Sequence, residues 1–130
     1  MTNYIEITSE DQWNEYYNSD KCLVLDFTAS WCGPCKMIAP VFKLLSEKYT
    51  NIYFLKIDVD ENEDICAERN ISCMPTFQFV KDKKILHIIQ GANTESIIQA
   101  CEILDKNYNN SSTEAKDVEE KKDEDKTDEN

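Results

Sequence analysis

Two cysteines three positions apart, Cys32 and Cys35 in the run Trp31-Cys32-Gly33-Pro34-Cys35-Lys36, directly follow the apolar stretch Leu23-Val24-Leu25-Asp26-Phe27. The thiols stand at the junction between a predicted strand and a predicted helix, a placement that points to thiol–disulfide exchange. The thiolate is the reactive form of cysteine, and a helix start offers it unpaired backbone N–H groups and the positive end of the macrodipole. Cys32 is placed there. At a reference pKa of about 8.5, only about 3% of a free cysteine is ionised at pH 7, and a downward shift of roughly two units makes the thiolate the majority. A helix terminus supplies about 0.3 to 2 kcal/mol, less than the ~2.7 kcal/mol that such a shift requires. A hydrogen bond from Cys35, one helical turn further on, and the charge of Lys36 are the additional terms. Pro34 fits the first turn, where its missing N–H costs nothing.

These residues need elements to hold them. A chain of 130 residues, 41% hydrophobic and 31% charged, suits one soluble globular domain. Residues 1–8 hold no basic segment followed by an apolar run, so no secretory signal is expected and a reducing, cytoplasmic setting is the default for the six cysteines. No apolar stretch approaches ~18 residues, which argues against a transmembrane helix. The net charge of −12 argues against nonspecific nucleic-acid binding and against anionic membrane surfaces. Residues 111–130 carry nine acidic and four basic side chains, no aromatic, and only Ala115 and Val118 as apolar residues, so they cannot bury a core. The expected organisation is a domain over residues 1–107 and an acidic, disordered tail over 108–130.

Within the domain, a strand is predicted near Tyr4 to Ile7, then a helix opened by Ser9 with Gln12 at capping-box spacing and Trp13, Tyr16 and Tyr17 on one face. Cys22 to Thr28 reads as a strand buried on both faces. A long helix over about Pro34 to Tyr49 carries Met37, Ile38, Val41, Phe42, Leu44 and Leu45 as a broad apolar stripe, with Pro40 inside it. Ile52 to Asp58 is a third strand, and Asp60 with Glu63 would start a short helix running to about Arg69. Thr76 to Val80 and Lys84 to Gln90 form a predicted hairpin around Lys81, Asp82 and Lys83, and Thr94 to about Asn107 is an amphipathic helix bearing Ile97, Ile98, Cys101 and Leu104. The order β-α-β-α-β-α-β-β-α implies an α/β fold, a central mixed five-stranded sheet flanked by four helices.

With the motif WCGPCK, Asp26 on the preceding strand and the Met74-Pro75-Thr76 segment in this order, the sequence resembles the thioredoxin family over residues 1 to about 107. The SCMPTFQF stretch and the SEKY segment are similar to its cytosolic eukaryotic branch. The resemblance implies a thioredoxin fold and a protein-disulfide reductase. It implies that Cys32 is the nucleophile and Cys35 the resolving thiol, closing a redox-active Cys32–Cys35 disulfide. It makes Asp26 a buried carboxyl able to accept the Cys35 proton, and Lys56 its partner. Pro75 matches the family's cis-proline, which lets the Met74 backbone meet an extended client. Trp31, Gly33, Pro34, Gly91 and Ala92 complete the implied substrate groove. Gly33 and Gly91 are the only glycines, so both are expected at positions with backbone demands.

Gly33-Pro34 between the cysteines supplies no side-chain donor to the thiolate, which favours a reductant over an oxidase or isomerase. No cofactor is expected: a glycine-rich dinucleotide motif is missing, so the electrons must come from a thioredoxin reductase. Peroxiredoxins and ribonucleotide reductase are family-typical clients. A zinc half-site is the rival reading of the pair, but Cys66 and Cys73 lack metal-like spacing, and no metal is assigned. Cys22 and Cys101 read as core residues, Cys66 is open, and Cys73 is a candidate regulatory thiol that could link two copies of a monomer. His87 reads as a surface residue. The alternative function is a redox-sensitive adaptor using the same fold.

Overall fold

A computed structural model describes residues 3–109; the acidic segment from residue 110 lies outside the described residues. In chain order the elements are β1 (Tyr4–Glu6), α1 (Glu10–Tyr17), β2 (Cys22–Thr28), α2 (Gly33–Lys48), β3 (Ile52–Asp58), α3 (Glu63–Glu68), β4 (Thr76–Lys81), β5 (Lys84–Gln90) and α4 (Thr94–Tyr108). The five strands form one sheet in the order β1-β3-β2-β4-β5. Strands β1, β3 and β2 run parallel, whereas β4 is antiparallel to both β2 and β5. No helix among the described residues is long and apolar enough to cross a membrane.

The central position of β2 follows from its composition. Every residue from Cys22 to Thr28 is buried, as a strand covered on both faces must be. One core lies between the sheet and helices α2 and α4, where Phe42 meets Phe54 edge-on at 5.3 Å and lies tilted against Phe77 at 5.9 Å. The other lies on the opposite face, where Trp13 of α1 and Ile65 of α3 pack with Leu23, Leu25 and Phe27. Because side chains alternate along a strand, Asp26 shares a face with Val24 and points toward α2.

Helix α1 begins as its residues require: Ser9 Oγ accepts from Gln12 N, and Gln12 Oε1 accepts from Thr8 N at 2.7 Å. The stripe on α2 is narrower than expected. Cys35, Ile38, Phe42 and Leu45 are buried, but Met37 and Leu44 are 79% and 63% exposed, because each sits one residue, about 100° of helix rotation, from a core-facing position. Ile98 turns partly to solvent beside buried Ile97 for the same reason.

Helix α3 does not start from an Asp60–Glu63 capping pair. Its N-cap is Asn62, whose Nδ2 is bound instead to the Ile7 and Asp58 carbonyls at 3.2 and 3.0 Å, while Asp60 is engaged elsewhere. The hairpin is also tighter than expected: Lys81 belongs to β4, leaving Asp82 and Lys83 as a two-residue loop. Both have positive φ, 53° and 67°, the signature of a type I′ turn built without glycine. Lys81 Nζ donates to the Asp20 carbonyl beneath it.

Candidate active site

Cys32 is the N-cap residue of α2, with extended backbone (φ −95°, ψ 112°), and its Sγ accepts the backbone N–H of Cys35 at 3.2 Å. The Cys32 carbonyl accepts from Lys36 N, the first bond of the helix ladder. Pro34 falls in the first turn, where no intrahelical donor is lost. The two cysteines are joined as a disulfide across a Cα–Cα distance of 5.3 Å. Both are buried, in a small apolar cluster with Ala29 that Val59 and Met74 flank, while Trp31, Gly33, Pro34 and Lys36 around them are exposed.

Trp31 is 62% exposed and yet fixed, because its Nε1 donates to Asp60 Oδ2 at 2.9 Å. The loop that holds Asp60 is folded by Asp58, whose Oδ1 accepts from Asp60 N at 2.8 Å. Reading Asp60 as a helix cap missed this role. A carboxylate just past a strand end is the only trace of it in sequence.

The Met74–Pro75 peptide bond is cis, and Pro75 is buried at the start of β4. Its carbonyl accepts from Gly91 N at 2.8 Å, which brings the segments Cys73–Pro75 and Gly91–Ala92 together. Gly91 has φ 98°, a conformation that only glycine adopts without strain. Gly33 departs from expectation: its φ is not in the left-handed region and nothing lies within 4 Å of a built Cβ, so no backbone demand explains it. Thr76 Oγ1 donates to the Cys73 carbonyl at 2.7 Å, fixing the turn before the cis bond.

Asp26 is 4% exposed, and its Oδ1 has no hydrogen-bond partner among the described residues. Burial in this apolar setting pushes its pKa up to about 7, against a smaller downward pull from Lys56. Lys56 pairs with Asp26 in the parallel β2–β3 register, but its Nζ lies 4.0 Å from Glu6 Oε2, and no ion pair joins it to Asp26 among the described residues. Lys56 thus acts on the carboxyl through its field.

The other thiols divide sharply. Cys22, Cys66 and Cys101 are buried, and burial pushes their pKa values up to about 11, 11 and 12, so they remain protonated at neutral pH. For Cys66 the carboxylates of Asp58 and Asp60 push in the same direction. Cys73 is the one free cysteine among the described residues that is not buried. His87 is exposed on β5, against the ring of Phe79, away from these groups.

The family model described as Thioredoxin matches residues 4–103. Thioredoxin from horse (Equus caballus) is 49% identical over 94 residues, covering 71% of this chain and 90% of the relative. Among solved structures, a poplar thioredoxin h mutant superposes with a TM-score of 0.79 at 33% identity, covering 86% of this chain and 90% of its own. A structure described as showing a thiol resolving mechanism in yeast mitochondrial 1-Cys peroxiredoxin via glutathione/thioredoxin systems gives 0.72 at 32% identity, covering 79% and 99%. With a cysteine pair at the head of α2, a cis-proline opening β4 and a match running through nearly the whole described fold, this chain belongs to the thioredoxin family of thiol–disulfide oxidoreductases.

Proposed function

We propose that the protein is a disulfide reductase for client proteins, working through the Cys32–Cys35 pair and recharged by a thioredoxin reductase. The observation that carries this reading is the position of Cys32 at the N-cap of α2, its Sγ accepting a backbone N–H. Once the disulfide is reduced, that bond and the helix terminus stabilise negative charge on the Cys32 sulfur.

The Cys32 thiolate attacks one sulfur of a client disulfide. A new S–S bond joins protein and client, and the other client sulfur leaves as a thiolate. Cys35 then loses its proton and attacks Cys32 Sγ, which closes the intramolecular disulfide and expels the second client thiolate. The client gains two electrons and takes up two protons. Asp26, under α2 with a pKa near 7, is half ionised at neutral pH and suits the role of proton acceptor for Cys35, with Lys56 modulating its charge. Trp31, Gly33, Pro34, Met74, Pro75, Gly91 and Ala92 form the rim on which an extended client strand would lie, hydrogen-bonding to the Met74 backbone.

Electrons return from NADPH through a flavoprotein thioredoxin reductase. Peroxiredoxins and ribonucleotide reductase are the proposed clients; the likeness to the yeast peroxiredoxin-related structure supports the first. We place the protein in the cytoplasm, in cellular redox homeostasis, as a monomer whose half-buried Cys73 could join two copies. One domain over residues 1–107, with the acidic segment 108–130 as an appendage, completes the proposal. The test is NADPH oxidation coupled to insulin reduction in the presence of a thioredoxin reductase. Many turnovers per protein molecule are expected, whereas stoichiometric binding of a partner without turnover would favour the adaptor reading.

A further inference from the structure

Arg69 closes α3, and its contacts reach well beyond that helix. The guanidinium lies 5.5 Å from the centroid of Trp13 and 5.0 Å from that of Tyr17, two α1 rings stacked on each other at 4.8 Å. Its Nε donates to Oε1 of Gln78 at 2.7 Å. No carboxylate lies within ion-pair distance of Arg69 among the described residues. Gln78 is 2% exposed on β4, paired with Leu25 of the central strand, and so cannot move independently of the sheet.

The chain between these two residues is the one that matters for clients. It leaves Arg69 through Asn70, which holds a left-handed φ of 57°, and carries Cys73, Met74 and Pro75 before Gln78 is reached. We propose that Arg69 is a positioning residue for this client-binding segment, joining its two ends through Gln78 and bracing the joint on Trp13 and Tyr17. The inference rests on the reductase reading above.

The chemistry of the side chain fits the task. A guanidinium can stack on aromatic faces while donating in its own plane, which an ammonium cannot reproduce, and a charged donor strengthens the bond to a neutral buried acceptor. A segment held at both ends loses less freedom when a client strand is added, so the effect belongs in client affinity rather than in chemistry at sulfur. Arg69 makes no contact with the reacting sulfurs.

The test uses the full chain with Arg69→Met and Arg69→Lys, assayed on insulin and on hydroxyethyl disulfide, a substrate too small to span the groove. Arg69→Met is expected to raise KM for insulin about five- to tenfold with kcat within about twofold, and to leave hydroxyethyl disulfide turnover unchanged. Amides of residues 70–74 should exchange about tenfold faster, the range expected for losing a charged hydrogen bond, while those of β2 and β3 keep their protection. Adding Gln78→Met to Arg69→Met should change KM by less than about twofold, since the joint is already broken.

An equal loss on both substrates would reveal general destabilisation and overturn the proposal. So would an unchanged KM for insulin, or full recovery by Arg69→Lys, which would assign the effect to charge alone. Turnover of hydroxyethyl disulfide by the parent protein checks the reductase reading separately.

Discussion

Replacing Cys35 by serine should convert the protein from a turnover catalyst into a trap. The Cys32 thiolate still attacks a client disulfide, but the serine hydroxyl cannot displace sulfur, so the mixed disulfide persists until an external thiol releases it. Replacing Cys32 instead removes the attacking group, and insulin reduction should fall by on the order of a thousand-fold or more, with no adduct formed. The asymmetry between the two variants is the informative part. It follows from Cys32 standing at the helix N-cap with a hydrogen bond to its sulfur, while Cys35 lies inside the first turn and donates that bond. Non-reducing electrophoresis and mass spectrometry of the Cys35→Ser protein incubated with an oxidised client check the adduct and its linkage to Cys32. The buried thiols Cys22, Cys66 and Cys101, protonated at neutral pH, should appear in none of these adducts.

The second large effect is on stability, and its sign depends on pH. In the folded protein Asp26 keeps its proton to about pH 7, against 3.8 for an unperturbed carboxyl. The native state therefore binds more protons than the unfolded chain between those values, and stability declines as pH rises from below 4 to about 7, then levels off. At pH 8 the deficit is on the order of 4 kcal/mol, three pK units at 1.36 kcal/mol each, and near pH 4 it is under about 1 kcal/mol. Asp26→Asn keeps the shape without the charge, so it should raise Tm by on the order of 10 °C or more at pH 8 and by little at pH 4. Thermal unfolding of both proteins across this range measures it. On the proposed role of Asp26 as proton acceptor for Cys35, the same variant should slow turnover about tenfold or more at neutral pH. A protein made more stable and less active by one substitution would mark Asp26 as a group retained for chemistry.

Much of this site is written in local sequence. The β2 stretch, apolar but for Asp26 and Thr28, reads as a covered strand, and Cys32-Gly33-Pro34-Cys35, after three intervening residues, falls at the next helix start, which places Asp26 and both sulfurs from local sequence. The identity of Pro75 as a cis residue came from resemblance, since no local rule distinguishes it from a trans proline opening a strand. What escaped was tertiary. Asp60 has the composition of a helix cap, but the indole of Trp31 competes for it across 29 residues, and α3 starts at Asn62 instead. The hairpin turn was obscured because Asp82 and Lys83 adopt positive φ where glycine or asparagine would announce it. Arg69 has the local sequence of any charged residue closing a helix, and its distinguishing partners Trp13, Tyr17 and Gln78 come from α1 and β4.

The central claim is that the fold makes one sulfur, that of Cys32, anionic and reactive near neutral pH. The most direct measurement is the rate of Cys32 alkylation by iodoacetamide in the fully reduced protein between pH 5 and 9, followed by peptide mass spectrometry. The account predicts a rate that reaches half its plateau at or below about pH 7, well under the ~8.5 of a free thiol. A Cys32 that stays unreactive until the pH passes about 8, as a free cysteine would, contradicts it.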